Sequence, residues 1–180
     1  FDVVPCTDQS FFDVWDLSKG ICLLENNKDV DKRRQPIDQI NHSVRSPTAK
    51  FFNAQAMLHD QGYGGNNDVI NTGIIGASKK HLQQLKYFDA LAQDLDVMQK
   101  LTEEYNDTIY PPNIVKMFGY DNETLISYKI QTNNVPVQWL DAQWHYFYDA
   151  EMHIPQDTKM IHAVNKKFDF VWRFYEKCNF

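Results

Sequence analysis

Apolar positions in this chain fall in short runs whose spacing switches between two and between three and four residues. Asp2 to Pro5 reads as a short buried strand stopped by its proline. Thr7 or Asp8 is placed to cap a short helix carrying Phe11, Phe12, Val14, Trp15 and Leu17. Ser18-Lys19-Gly20 closes it, and Ile21 to Leu24 reads as a buried strand. Residues 25–50 are polar, with Asp31-Lys32-Arg33-Arg34 and two prolines, and are expected to form a mobile loop. Its basic residues read either as a solvated surface or as a lid that closes on a ligand. Order resumes at Phe51-Phe52-Asn53-Ala54, and a turn cluster follows at 61–67. Val69 to Ala77 is then a strand broken by Gly73 and Gly76. Glycine inside a strand loses packing and marks the close approach of a ligand or another backbone.

Helical spacing dominates the middle of the chain. Ser78 is a good N-cap, and Leu82, Leu85 and Phe88 would share one face. Leu91, Leu95, Met98, Leu101 and Tyr105 repeat at three and four residues and read as core, until Pro111-Pro112 forces a break. Asp121 is placed to cap a helix with Leu125, Ile126 and Ile130, ended by Asn133-Asn134. Val135 to Leu140 reads as extended, 154–159 as a loop, Met160 to Val164 as a strand, and 168–178 as an aromatic-rich terminal helix. Alternating strands and helices predict a layered α/β fold, with residues 1–180 as a single domain. No internal repeat interrupts this order.

Composition narrows the function classes. The chain has 180 residues, 43% hydrophobic and 14% aromatic, which suffices for a folded core. A net charge of −6 without a basic stripe argues against nucleic-acid binding, though a few lysines can still serve one anionic ligand. Cys6, Cys22 and Cys178 are widely spaced and form no CxxC, so free thiols in a reducing, cytoplasmic compartment are expected rather than a zinc ribbon. No stretch approaches the roughly 20 apolar residues of a membrane span, and no signal peptide is visible. His42, His59, His81, His145 and His153 show no HExxH spacing, and GxSxG, P-loop and GxGxxG motifs are missing. Phe1-Asp2-Val3-Val4 reads like the end of a strand already under way, so a preceding segment is expected.

Several residues carry candidate chemistry, each beside a plainer reading. Asp2 is a hard carboxylate suited to a divalent cation, or a frayed terminal residue. His162 is an imidazole ligand, or a satisfied structural histidine. Lys166 or Lys167 would stabilise a phosphate, with Asn165 donating to the same group, or would be solvated. Asp121 and Glu123 read as carboxylates near a reacting hydroxyl, or as a helix cap and a first-turn charge. Asn71, Thr72 and Gly73 read as a ligand-facing segment or as a bulge. Trp139, Trp144 and Tyr146 read mostly as core, with Trp144 the candidate wall for an acceptor.

Taken in order, these segments resemble the GT-A fold glycosyltransferases, nearest the glycogenin and galactosyltransferase-like family numbered eight. Phe1-Asp2-Val3-Val4-Pro5 looks like the last two positions of its Asp-x-Asp motif and the apolar run that follows. Asn71-Thr72-Gly73-Ile74 is similar to its Asn-Ala-Gly-Val, and Asp121-Asn122-Glu123-Thr124-Leu125-Ile126 to its Asp-Gln-Asp-x-Leu-Asn. Trp144-His145 is similar to its Trp-Asn, and His162 to Phe168 more loosely to its His-x-x-Gly-x-x-Lys-Pro-Trp, without the glycine and the Pro-Trp. The resemblance implies a mixed sheet flanked by helices, lacking its first strands. It implies transfer of a sugar from a nucleoside-diphosphate donor, UDP-sugar foremost, to a saccharide hydroxyl, as in polysaccharide biosynthesis. Asp2 and His162 would hold Mn²⁺ or Mg²⁺. Asn71, Thr72, Gly73, Asn165, Lys166 and Lys167 would face the donor. Asp121 and Glu123 would be catalytic, and Trp144 would contact the acceptor. A cytoplasmic location, peripheral to a membrane, fits these expectations. The rival expectation is a non-catalytic interaction domain on a related α/β scaffold.

Overall fold

The computed structural model describes residues 2–25, 57–58, 60–63, 70–104, 122–148, 153–163 and 168–178. In chain order the elements are β1 (Val3–Pro5), α1 (Phe11–Val14), β2 (Ile21–Glu25), β3 (Ile70–Gly76), α2 (Lys79–Leu85), α3 (Leu91–Glu104), α4 (Asn122–Thr132), β4 (Val137–Trp139), β5 (Tyr146–Tyr148), β6 (Met160–Ala163) and α5 (Asp169–Tyr175). This is a mixed α/β chain, as the alternation predicts. It divides into two compact units, the first comprising Phe1–Leu24, Asn71–Ser78 and Pro136–Phe180, the second Glu25–Ile70 and Lys79–Val135. Residues 26–56, 64–69, 105–121 and 164–167 lie outside the described residues, and with them the expected mobile loop, the Pro111-Pro112 break and the Asp121 cap.

The first unit holds two three-stranded sheets, ordered β1-β6-β5 and β3-β2-β4. β1 runs antiparallel to β6, with Val3 opposite His162, and β5 runs parallel to β6, with Phe147 opposite His162. β2 and β4 are parallel, with Ile21 opposite Val137. Gly20 sits where a β-carbon would meet the Pro136 carbonyl oxygen at 2.6 Å, and the Ile21 N–H donates to that same carbonyl.

Side chains alternate across β6, and the alternation decides what each face does. Ile161 and Ala163 are fully buried with Val4, Cys6, Tyr148, Ile154 and Val171 of α5. Burial pushes the Cys6 thiol up to about 12, with the Cys178 thiol adding to the shift. Met160 and His162 take the other face, where Met160 packs against Cys22, Ile74, Leu140 and Trp144.

α1 is a single turn, shorter than expected, and Ser10 caps it in place of Thr7 or Asp8. The Ser10 hydroxyl accepts from the Phe12 N–H at 3.2 Å. Beyond it the Asp16 carboxylate accepts from the Ser18 N–H and hydroxyl, a local turn that competes with helix propagation. Phe11 and Trp15 pack on the Trp144 cluster, whereas Phe12 faces solvent.

The second unit is helical around Met57, Leu58, Met98, Leu125 and Tyr128, with Leu91 and Leu95 against them. α2 starts directly after Ser78 and buries His81 and Leu85. The expected stripe of Leu82, Leu85 and Phe88 does not form. Lys86 turns left-handed at φ 49°, the helix stops, and Phe88 is 78% exposed. α4 buries polar residues on most of its surface, among them Glu123, Thr124, Ser127 and Lys129. The Lys129 ammonium lies 2.5 Å from the Asp94 carboxylate and donates to the Asp89 carbonyl. Asn134 closes α4 at φ 50°, with the Val135 N–H on the Ile130 carbonyl. No helix among the described residues is long and apolar enough to cross a membrane.

Candidate functional site

Three separated stretches of sequence meet at His162. The β1–β6 ladder brings in Asp2, whose carbonyl accepts from the Ala163 N–H at 2.7 Å. Its half-exposed carboxylate Oδ2 stands 3.5 Å from His162 Nε2. On the other side of the ring, His162 Nδ1 is 3.1 Å from His145 Nε2. The edge of Phe147 closes the ring laterally, at 5.5 Å between centroids and 85° between planes.

His145 is delivered by a turn that Asp141 builds. The Asp141 carboxylate accepts from the Gln143 and Trp144 N–H groups at 3.0 and 3.1 Å. Its carbonyl accepts from the N–H groups of Trp144 and His145. The turn sends Trp144 into the core, edge-on to Phe11, and leaves His145 1% exposed.

β3 supplies the third stretch. A β-carbon on Gly73 would lie 2.3 Å from both Cε1 and Nδ1 of His162, so the imidazole fills the space a side chain would take. The close approach expected at this glycine is therefore made by a histidine ring rather than by a ligand or another backbone. Asn71 is buried, and its side-chain oxygen accepts from the Gly73 N–H at 2.9 Å, holding the strand against that ring. Thr72 stands between them, partly buried.

Burial, and next the neighbouring His162, push the His145 imidazole down to about 3, so it is neutral at physiological pH. An unfolded chain protonates this histidine below about 6.5, whereas the folded chain does not until about 3. The contribution to stability is thus complete above about pH 6.5 and is lost as the pH falls towards 3, at up to about 1.4 kcal/mol per pH unit. Urea unfolding at about pH 7.5 and pH 5 is expected to show roughly 2 kcal/mol of acid destabilisation from this group. A His145→Phe variant should lose that increment, and an unchanged pH slope in the variant would contradict the assignment.

Asp2 and His162 supply a carboxylate and an imidazole, donor types that divalent cations take. Their 3.5 Å separation exceeds the length of a charge-assisted hydrogen bond, about 2.7–2.9 Å. It also exceeds the roughly 3.0 Å between adjacent ligands of an octahedral cation with bonds of about 2.1 Å. Among the described residues no group of three His, Cys, Asp or Glu side chains is arranged to hold a metal.

Of the remaining candidates, Trp144 and Glu123 are among the described residues. Trp144 is 4% exposed and packed on all sides, which leaves no ring face for the acceptor wall expected of it. Glu123 is buried in the first turn of α4, in the second unit. Asp121, Asn165, Lys166 and Lys167 lie outside the described residues. A pocket of about 550 Å³ lined by Cys6, His153, Lys159 and Cys178 belongs to the opposite face of β6, away from His162. His145 is the residue that sequence reasoning missed. Its one signal was its place at the end of an Asp-x-Gln-Trp-His turn. Compared with protein-family models, curated proteins and solved structures, the chain matches none.

Proposed function

We propose that the chain is a GT-A-like glycosyltransferase domain that moves a sugar from a nucleoside-diphosphate donor to a saccharide hydroxyl. One observation carries the reading. Asp2, Gly73 and His162 come from three motif-like segments far apart in sequence and converge on one imidazole, with Asn71 bracing the strand. In this reading Asp2 and His162 hold Mn²⁺ or Mg²⁺, which when bound offsets negative charge on the donor diphosphate. Lys166 or Lys167 stabilises the leaving diphosphate and Asn165 donates to it. Asn71 and Thr72 border the sugar, and UDP-sugars are the first donors to examine.

A second reading, a non-catalytic interaction domain on an α/β scaffold, is favoured by the fact that both ring nitrogens of His162 already face protein partners. Calorimetric titration with UDP, with and without Mn²⁺, separates the two. The enzyme reading expects binding that depends on the metal and that weakens on the order of tenfold or more in His162→Ala. Metal-independent binding, or none with any nucleoside diphosphate, would favour the interaction domain.

A further inference from the structure

The cavity of about 550 Å³ on the opposite face of β6 stands apart from the His162 cluster, and the glycosyltransferase reading makes no use of it. Its three walls all belong to the first unit. The β1–β6 ladder runs one step past β1, where the Cys6 N–H donates to the Lys159 carbonyl at 2.7 Å and sets those two residues side by side. The second wall is the turn before β6. There the Thr158 N–H donates to the Pro155 carbonyl, and the His153 carbonyl accepts from the Tyr146 hydroxyl. The third is the end of α5, where the Lys177 N–H and the Cys178 thiol both donate to the Phe174 carbonyl.

Two kinds of surface meet in this space. Ile154 and Phe174 bring apolar area from the core beneath β6. The Cys6 thiol, pushed up to about 12 by burial first and by Cys178 next, is uncharged at neutral pH and adds no anion. Against this stand the ammonium groups of Lys159 and Lys177, which have no hydrogen bond or ion pair among the described residues. Asp8 is the single carboxylate among the described residues of the lining, and it pairs with neither lysine. The formal balance of Lys159, Lys177 and Asp8 is therefore positive. Neutral donors add to it. The Thr7 hydroxyl accepts from the Gln9 N–H at 3.1 Å and keeps its own proton to give, and His153 offers at least one ring N–H in either protonation state.

We propose that this cavity binds a small amphipathic organic anion, its carboxylate, sulfonate or phosphate group towards Lys159 and Lys177 and its apolar body against Ile154 and Phe174. Its volume is that of one small molecule, since such sites run to about 300–1,000 Å³ and combine apolar walls with a few polar anchors. A bare inorganic anion would leave the apolar wall uncovered. A neutral ligand would draw nothing from the two ammonium groups, whose hydrogen bonds to an anion are the stronger kind.

The test uses the whole chain and a matched pair of fluorescent probes. Anilinonaphthalene sulfonate carries an anionic group, and phenylnaphthylamine has the same rings without it. Occupancy is read at Cys178, which lines the cavity and is partly exposed, as the rate of its alkylation by iodoacetamide resolved by peptide mass spectrometry. The sulfonate is expected to bind about tenfold or more tightly than the neutral probe and to slow that alkylation. Lys159→Gln/Lys177→Gln should bring its affinity down to that of the neutral probe, and Asp8→Asn should raise it. Both lysines reach solvent at least in part, so the double variant is expected to fold, with a cooperative melt as the check. Sulfonate that fails to bind, or that binds without protecting Cys178, would overturn the proposal. An undiminished preference for the sulfonate in a folded lysine variant would overturn it too. Inorganic phosphate that protects Cys178 as well as the sulfonate does would overturn the amphipathic class in favour of a simple anion site.

Discussion

Gly73→Ala is expected to lower the melting temperature by roughly 5–15 °C and, on the glycosyltransferase proposal, to abolish metal-dependent donor binding. The added methyl would sit 2.3 Å from two atoms of the His162 ring and 2.8 Å from a third. Gly73 does not have a left-handed backbone, so the cost is one of space and not of torsion. The ring has little room to yield, with His145 3.1 Å away on one edge and Phe147 beside it. Overpacking of this kind costs about 1–3 kcal/mol, and losing the His–His hydrogen bond adds about 1 kcal/mol. Gly62→Ala is the control. It sits at φ 76° with nothing within 4 Å of a β-carbon, so it incurs only the torsional cost, about 1 kcal/mol. Equal melting shifts in the two variants would refute the close packing of Gly73 on His162.

Lys129→Met should destabilise the protein by about 3–5 kcal/mol in urea unfolding. The Lys129 and Asp94 side chains are only 7% and 11% exposed, and their charges are compensated chiefly by each other at 2.5 Å. Removing the ammonium leaves a buried carboxylate without its counter-charge and also deprives the Asp89 carbonyl of its donor. The double variant Asp94→Leu/Lys129→Met should regain most of the loss, because an apolar pair of similar volume removes both desolvation penalties. A full double-mutant cycle measures the coupling, expected at about 2–3 kcal/mol. A Lys129→Met variant within about 0.5 kcal/mol of wild type would mean that the pair is solvated.

Much of this architecture is legible in the sequence. The strands at Ile21, Ile70, Val137 and Met160 and the helices around Met98, Leu125 and Val171 follow the apolar spacing. So do the stops at Pro5 and Asn134. β5 was missed because Tyr146-Phe147-Tyr148 lacks polar alternation, and its aromatics read as isolated candidates. α2 was overextended because helical spacing alone cannot register the left-handed turn at Lys86. The burial of α4 was illegible for a different reason. Its inward face is largely polar, and partners such as Asp94 and Asp89 come from elsewhere in the second unit.

The site divides in the same way. Asp2 and His162 stood out chiefly because their segments fall in the order that the resemblance implies, and only secondarily because a carboxylate and an imidazole suit ligand chemistry. Their pairing with each other was a matter of strand order, which no local pattern carries. His145 looked like a histidine without a partner, because its partner is supplied by a parallel strand pairing. Trp144 was ambiguous by nature, since a ring suited to stacking on a sugar is equally suited to a core, and here the core claims it.

The pairing of β1 with β6 also dictates when the site comes into being. A ribosome releases the chain from its amino end at about 5–20 residues per second, and domains tend to condense as their segments emerge. β1 emerges well before its partner, Met160–Ala163, which follows more than 150 residues later in the chain. Until Met160–Ala163 is made, Val3–Pro5 is therefore a strand without its neighbour, held back by the entropy of closing a very long loop. Segments 25–70 and 79–135 have all emerged before that closure is possible. The histidine pair and its aspartate thus come together only after the whole of the intervening scaffold has been made.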